Sequence, residues 1–328
     1  MGRYVRAVLR DLVQRAQIGV TLLVRDPRDA PAYRAIAGDR IEVAPLAAAR
    51  RARTFDRVWY PWNGIRFAAA APALVTINDD FAFAYPARGF IARRREQQPV
   101  RRAIRDAAYL TTISAWSRDA LIGRFALQPA RIGIIPLVPD PYFSPGSERP
   151  PFAEPFVLAV GAGDCRKNVS FLLDVFARAF PAGDVRLVIV GAVPPALDAR
   201  LRRSTLPVSN LTGVDDAGLR RLYRTAAAVA VPSLAEGFGL VAAEAQACAA
   251  AVIAADASAL PEAVGDAGRL VDPRDRSGWS AALRELVCNS AVNAHFRERA
   301  AARWAGASAH QTADALLAAL ERTIDDRP

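Results

Sequence analysis

AVAVPSLAEGFGLVAAEAQA, residues 228–247, reads as a buried strand, a glycine-bearing loop and a helix in immediate succession. Ala228 to Val231 carries no polar side chain and ends at Pro232, which has no backbone N–H to offer a sheet. The loop holds Glu236, Gly237, Phe238 and Gly239, and the Ala-rich run from Leu240 is a strong helix former that contains Glu244. Two glycines let a backbone approach a ligand closely, and the free amides of a helix's first turn suit an anion such as a diphosphate. Glu236 on the loop and Glu244 about one turn into the helix are expected to face the same cleft. Taken alone, a solvated loop acid and an acid favouring the helix dipole also account for the pair.

The same grammar recurs upstream in FVLAVGAGDCRKNVSFLLDVF, residues 156–176. A strand delivers Gly161 and Gly163 into a loop, and Arg166, Lys167 and Asn168 are expected to begin the next helix. The third glycine of a GxGxxG pattern is replaced by Arg166, and no GKS or GKT follows, so dinucleotide and P-loop fingerprints do not fit. What remains is a pair of cations beside helix-terminal amides, a diphosphate clamp. A solvated helix start is the plainer reading of an RKN triplet. Against it, Lys167 is the only lysine among 43 basic residues, which marks the one position where a compact ammonium is kept in place of a guanidinium.

Further out, GVTLLV, IEVAPL, DRVWYP and ALVTI precede residue 136, and VRLVIV and AAVIAA join the two strands above after residue 155. Near-continuous apolar strands alternating with helices predict parallel sheets covered on both faces, hence two doubly wound α/β domains. Seven prolines between Pro136 and Pro155 mark the junction. The expected organisation is a basic α/β domain over 1–140, a Pro-rich linker over 141–155, a second α/β domain over 156–308, and a C-terminal helix over 309–328 packing back towards the first domain. Ligands in such sheets sit outside the carboxyl ends of the strands, here Pro61 to Gly64, Asn78 to Phe81, Gly161 to Asn168, Thr212 to Val214 and Ser233 to Gly239.

At 328 residues, 52% hydrophobic and 23% charged, the chain can bury two cores, which excludes disulfide scaffolds and disordered chains. Residues 1–150 hold 24 Arg against 13 acids, a net +11, whereas the remainder nets −1. The basic half points to a polyanionic partner: nucleic acid, an acidic membrane surface or a phosphorylated substrate. Cys165, Cys248 and Cys288 form no metal or disulfide spacing, and a reducing compartment follows as the expectation. Charges interrupt the N-terminal apolar pattern and no apolar run reaches the ~18 residues of a spanning helix. The expected location is cytoplasmic or peripheral on the inner face of a membrane.

Together these segments resemble the group 1 (family 4) retaining glycosyltransferases of GT-B fold. The resemblance rests on Glu236 and Glu244, separated by seven residues around EGFGL, on Arg166 to Asn168, on NLTGVDDAGLRRLYRTA (210–226) and on ASALPEAVGDAGRLVDP (257–273). It implies two Rossmann-like domains facing a cleft and transfer of a sugar from a nucleotide-sugar donor, GDP-mannose being one candidate, with no metal or cofactor. The acceptor implied is a glycan or lipid-linked sugar in cell-surface polysaccharide synthesis. By the same resemblance Arg166 and Lys167 would hold the donor diphosphate near Gly161. Glu236 would contact the transferred sugar, Gly237, Phe238, Gly239 and Leu240 would cradle sugar and phosphate, Glu244 would bind the ribose, and Thr212, Gly213 and Val214 would lie near the base.

In the first domain ALVTINDDFAFAYP (73–86) resembles the family's strand ending in His-Asp, with Asn78 in the histidine's place before Asp79. TTISAWSRDAL (111–121) resembles its serine-bearing turn, at Ser114, and YPWNGIRF (60–67) places Asn63 on the acceptor side. Asparagine hydrogen-bonds but carries no proton. The opening MGRYVRAVLRDLV resembles the family's first helix without the strand and Gly-rich turn that usually precede it, which would leave an unpaired edge in the first sheet. Val241, Ala249 and Ala251 stand where the family commonly has Pro, Gly and Pro. The alternative functions are a catalytically impaired binder of nucleotide sugar or glycan, and nucleic-acid binding through Arg93, Arg94, Arg95, Arg101, Arg102 and Arg105. No nucleic-acid recognition motif accompanies those arginines, so no nucleic-acid partner is expected; anionic lipid is the preferred partner for them. A glycosidase using Glu236 and Glu244 fits less well, because one acid is loop-borne and the other lies beside a phosphate-type site.

Overall fold

The computed structural model describes residues 2–15, 18–37, 41–47 and 55–325. The chain forms two compact units, Met1–Asp140 with Ser308–Pro328, and Pro141–Ala307.

The first unit runs α1 (Gly2–Leu12), β1 (Val20–Val24), α2 (Ala30–Ala37), β2 (Ile41–Pro45), β3 (Val58–Tyr60), β4 (Ala73–Thr76), α3 (Phe81–Ala84), α4 (Phe90–Asp106), β5 (Tyr109–Thr112), α5 (Ala115–Phe125) and β6 (Ile132–Ile134). Its strands form two parallel sheets, β1-β2 and β3-β4-β5-β6. Among the described residues β1 pairs with β2 alone and β3 with β4 alone. β4 and β5 are buried at every position, as strands covered on both faces must be.

In α4, Pro99 has no N–H for the carbonyl one turn back, and it divides the helix. Beyond it Val100 and Ala103 enter the core, while Phe90 to Glu96 are exposed throughout. The Pro99 carbonyl accepts the Ile65 amide at 3.0 Å. Gly64, at φ +110°, passes so close that a β-carbon would lie 2.3 Å from the Pro99 carbonyl group, so only glycine fits there.

The second unit continues with β7 (Phe156–Val160), α6 (Val169–Ala179), β8 (Arg186–Val190), α7 (Pro195–Arg202), β9 (Val208–Leu211), α8 (Asp216–Thr225), β10 (Ala228–Val231), α9 (Leu240–Ala247), β11 (Val252–Ala255), α10 (Leu260–Val264), β12 (Arg269–Val271), α11 (Arg276–Cys288) and α12 (Ser290–Trp304). α13 (Ala309–Asp325) then packs in the first unit against α1, β4 and β5. The six strands are all parallel, in the order β12-β11-β10-β7-β8-β9. Trp279, Tyr223, Phe156 and Phe176 are fully buried in its core, each contributing about 1.5–3 kcal/mol of hydrophobic stabilisation.

The Pro-rich segment is anchored to the second unit. Phe143 lies in its core, and the Arg224 guanidinium donates to the Ser144 carbonyl at 2.8 Å and pairs with Glu148 at 2.7 Å.

The strand order reverses between β7 and β10, because the chain moves outward to β8 and β9 before returning to lay β10 on β7's other side. Loops leaving two adjacent parallel strands in opposite directions open a crevice at their carboxyl ends. Those two loops are 161–168 and 232–239, so the fold juxtaposes segments about 70 residues apart.

Candidate functional site

The loop after β7 turns at Gly161, where φ is +93°. A β-carbon there would sit 3.3 Å from Lys167 Cε, so the lysine side chain runs directly over the glycine backbone. Asp164 accepts the Arg166 amide at 2.9 Å, and Cys165–Lys167 wind into a 3-10 turn ahead of α6. Arg166 and Lys167 therefore precede the helix, which begins after Asn168 in a left-handed conformation, φ 55°. The Arg166 guanidinium also pairs with the Asp164 carboxylate. Burial opposes ionisation of Asp164, yet the Arg166 guanidinium and amide hold its carboxyl below the ordinary carboxylate value.

The loop after β10 is tied to its neighbours by backbone. The Leu234 amide donates to the Arg166 carbonyl at 2.7 Å, and the Glu236 amide donates to Ser258 Oγ at 2.8 Å. Gly239 has φ +106° at the start of α9, and a β-carbon on it would strike Leu260 Cδ2 at 2.8 Å. No side chain caps α9 at Gly239, and the first amides of a helix are the ones suited to an acceptor. Gly237 and Gly239 are buried, while Phe238 and Leu240 are half-buried beside them.

These two loops bring Lys167 and Glu236 together. The ammonium Nζ donates to Glu236 Oε1 at 2.6 Å, with the side chains 22% and 14% exposed. A cation held over a glycine turn and a carboxylate on a loop tied down through the Leu234 and Glu236 amides form a partly dehydrated ion pair, whose field would act strongly on a nearby charge. A cavity of about 450 Å³ opens beside the same loops, lined by Asn168, Ser170, Phe171, Leu234, Pro273 and Arg274 among others.

Glu244, expected to face the same cleft as Glu236, is buried in this structure. It is 1% exposed, and its Oε2 accepts the Tyr223 hydroxyl at 3.3 Å. The cause is α9 itself, which is buried from Ala242 to Ala247 on every face. Nearby burial pushes the Cys248 thiol up to about 12, so it stays protonated. Thr212 and Gly213 are exposed and Val214 half-buried in the turn between β9 and α8, with Gly213 at φ +69°.

In the first unit, Asn78 and Asp79 follow β4. The Asn78 amide donates to Asn63 Oδ1 at 2.7 Å, and Asn63 adopts a left-handed φ of 37° to reach it. Asn78 itself is more than nine-tenths buried, and among the described residues its Oδ1 has no hydrogen-bond partner. Asp79 accepts the Phe81 amide at 3.1 Å, and Ser114 caps α5 by accepting the Ser117 amide at 3.0 Å. Both thus shape the turns that follow β4 and β5. Reading by motif passed over Asp164, Tyr223 and Ser258, the groups that hold Arg166, Glu244 and Glu236. Asp164 was the legible one, two residues before its partner.

Among the described residues no three His, Cys, Asp or Glu side chains gather to hold a metal ion, and no helix is long and apolar enough to cross a membrane.

Residues 154–289 match the family model Glycosyl transferases group 1. The MMP alpha-(1->4)-mannosyltransferase of Mycolicibacterium hassiacum is 33% identical over 196 residues, 57% of this chain and 47% of that protein. The D-inositol 3-phosphate glycosyltransferase of Mycobacteroides abscessus is 35% identical over 229 residues, 63% of this chain and 50% of that protein. The chain spans about half the length of these curated relatives. WaaG, a glycosyltransferase involved in lipopolysaccharide biosynthesis, superposes with a TM-score of 0.72 at 15% identity over 97% of this chain and 95% of that one. Anabaena HepE, solved with UDP and glucose, gives 0.74 at 18% identity over 98% and 96%. At such identities these likenesses establish the fold. Matched to the group 1 glycosyltransferase family model over most of its second unit and built like solved glycosyltransferases along nearly its whole length, the chain has the GT-B fold and its second unit is similar to the group 1 glycosyltransferases.

Proposed function

We propose that this protein transfers a sugar from a nucleoside-diphosphate sugar to a hydroxyl group of a glycan or lipid-linked acceptor, with retention of anomeric configuration and without a metal. The observation that carries the reading is the Lys167–Glu236 pair, held at 2.6 Å where the strand order reverses. Breaking the bond from anomeric carbon to phosphate oxygen leaves negative charge on the diphosphate. The Lys167 ammonium, the Arg166 guanidinium and the uncapped amides at Gly239 and Leu240 stabilise that charge from fixed positions. Glu236, released as Lys167 turns to phosphate, accepts hydroxyl hydrogen bonds of the transferred sugar. The acceptor oxygen attacks from the face the diphosphate leaves, and its proton passes to the departing phosphate oxygen, which yields retention. Asn78, with its unpartnered buried oxygen, hydrogen-bonds to the sugar or phosphate and moves no proton.

Two glycosyltransferases among the relatives, one of them a mannosyltransferase, and a neighbour solved with UDP support a nucleotide-sugar donor. GDP-mannose and UDP-glucose are therefore the donors to compare, and synthesis of a cell-surface polysaccharide is the setting proposed. An acceptor borne by an anionic surface would meet the basic first half of the chain. A second reading, a binder without turnover, is favoured by Asn78 where a titratable group would serve chemistry, both histidines being exposed on α12 and α13. The test is release of nucleoside diphosphate and glycosylated product by the purified chain. Lys167→Ala and Glu236→Ala are each expected to abolish turnover with the fold intact, and full activity in both would refute the site.

A further inference from the structure

The geometry of α4 points to a second functional surface: we propose that its exposed first two turns dock this protein on an anionic lipid bilayer, with Phe90 and Ile91 inserted and the arginines on headgroup phosphates. Phe90 and Ile91 are 76% and 67% exposed, the most exposed large apolar side chains among the described residues. Apolar groups stranded in water at a helix end, beside guanidiniums, have the composition of an interfacial helix. Arg93, Arg94, Arg95 and Arg101 surround them and are exposed, and no acidic side chain pairs with them among the described residues. The nearest acid on this stretch, Glu96, accepts the Ala87 amide. A groove of about 320 Å³ lined by Phe90, Arg93, Arg94, Gln97, Gln98 and Arg101 runs along the helix face. Its cationic and amide donors around an open floor match a phosphate headgroup.

Local construction fits that use. Pro99 hands the second half of α4 to the core and leaves the first half as a protruding arm. Gly89, at φ +91° with open space around it, turns the chain into the arm. Exposed Tyr85 precedes it, and Arg101 stacks 5.1 Å over Phe83 behind the groove. A nucleic acid would use the same arginines, yet it gains nothing from an aliphatic Ile91 at the tip, whereas a bilayer buries it. The proposal rests on the transferase reading only for its purpose, bringing the protein to a lipid-borne acceptor.

The test is flotation of the full chain with phosphatidylcholine vesicles, with and without phosphatidylglycerol, beside a single-stranded RNA competitor. Binding is expected only with the anionic lipid and to weaken with salt. Phe90→Ser with Ile91→Ser should weaken it about 10–100-fold, and Arg93→Glu, Arg94→Glu and Arg101→Glu together about 100-fold or more. All five side chains are exposed, so melting temperature should stay unchanged. Equal flotation with neutral vesicles, undiminished binding by the Phe90/Ile91 variant, displacement by RNA at equal mass, or a dimer that the variant dissolves would each overturn the proposal. Because the readout involves no sugar transfer, its failure leaves the donor site standing, and an inactive protein that floats leaves this surface standing.

Discussion

If the proposed donor site is right, removing Lys167 should perturb both the stability of the second unit and its affinity for diphosphate, and the two effects should separate. At an effective dielectric of ~20, opposite unit charges at the 2.6 Å of the Lys167–Glu236 pair attract by about 6 kcal/mol before desolvation is counted. Truncating one partner of a buried pair costs about 3–5 kcal/mol, and of an exposed pair about 0–1. With side chains 22% and 14% exposed, Lys167→Ala falls between these limits, near ~2 kcal/mol, or about 4–8 °C in melting temperature. Glu236→Ala should cost a similar amount. The double variant should lose about 1–2 kcal/mol less than the two single losses combined, because the second truncation removes a charge already unpaired.

Diphosphate binding follows a different pattern. Losing one charge-assisted hydrogen bond of about 1.5–3 kcal/mol makes Lys167→Ala bind UDP or GDP about 10–100-fold more weakly. Glu236→Ala should bind at least as tightly as the native chain, since its ammonium is released to the phosphate. Calorimetry and thermal melts on the four proteins of the cycle make the comparison. Native diphosphate affinity in Lys167→Ala, or additive stability losses, would refute the reasoning.

Four further outcomes follow from local geometry. Gly239→Ala forces a β-carbon to 2.8 Å from Leu260 at a left-handed φ and should destabilise by about 1–3 kcal/mol, read as a lower melting temperature. Ala249 carries φ 58° after α9, so Ala249→Gly should relieve up to about 1 kcal/mol of backbone strain and raise that temperature. Cys165 and Cys288 are exposed and Cys248 is buried with a raised pKa; a thiol reagent at neutral pH should label the first two promptly and the third only after denaturation. Asp164 ionises more readily folded than unfolded, so its pairing stabilises above the unfolded carboxylate value of about 4 and fades as pH falls through the lower folded value. The stability gap between the native chain and Asp164→Asn should be flat from neutral pH to about 5 and close below 4.

The apolar runs announced their strands because burial on both faces leaves no polar alternation to obscure them. GVTLLV, ALVTI, FVLAV and AAVIAA became β1, β4, β7 and β11. β9 was harder to see, since its VSNL lies at a sheet edge, half exposed, where Ser209 and Asn210 are tolerated. The site divides the same way. Lys167 and Glu236 were readable as residues, but their contact depends on β10 returning beside β7, a matter of strand order that no local pattern carries. The burial of Glu244 was not legible, because an alanine-rich helix has no polar face from which to infer direction and α9 is enclosed by its packing in the fold. Arg166 was legible as one of a pair of cations, but its pairing with Asp164 across the 3-10 turn was not.

The central claim is that the Lys167–Glu236 site handles a nucleotide sugar and turns it over. Its most direct test is incubation of the purified chain with GDP-mannose and UDP-glucose, following free nucleoside diphosphate and sugar anomer by NMR, with Glu236→Gln alongside. Diphosphate release is expected from one donor with the anomeric configuration kept in the product, abolished in Glu236→Gln. A nucleotide sugar that binds and remains intact, or a product of inverted configuration, would contradict it.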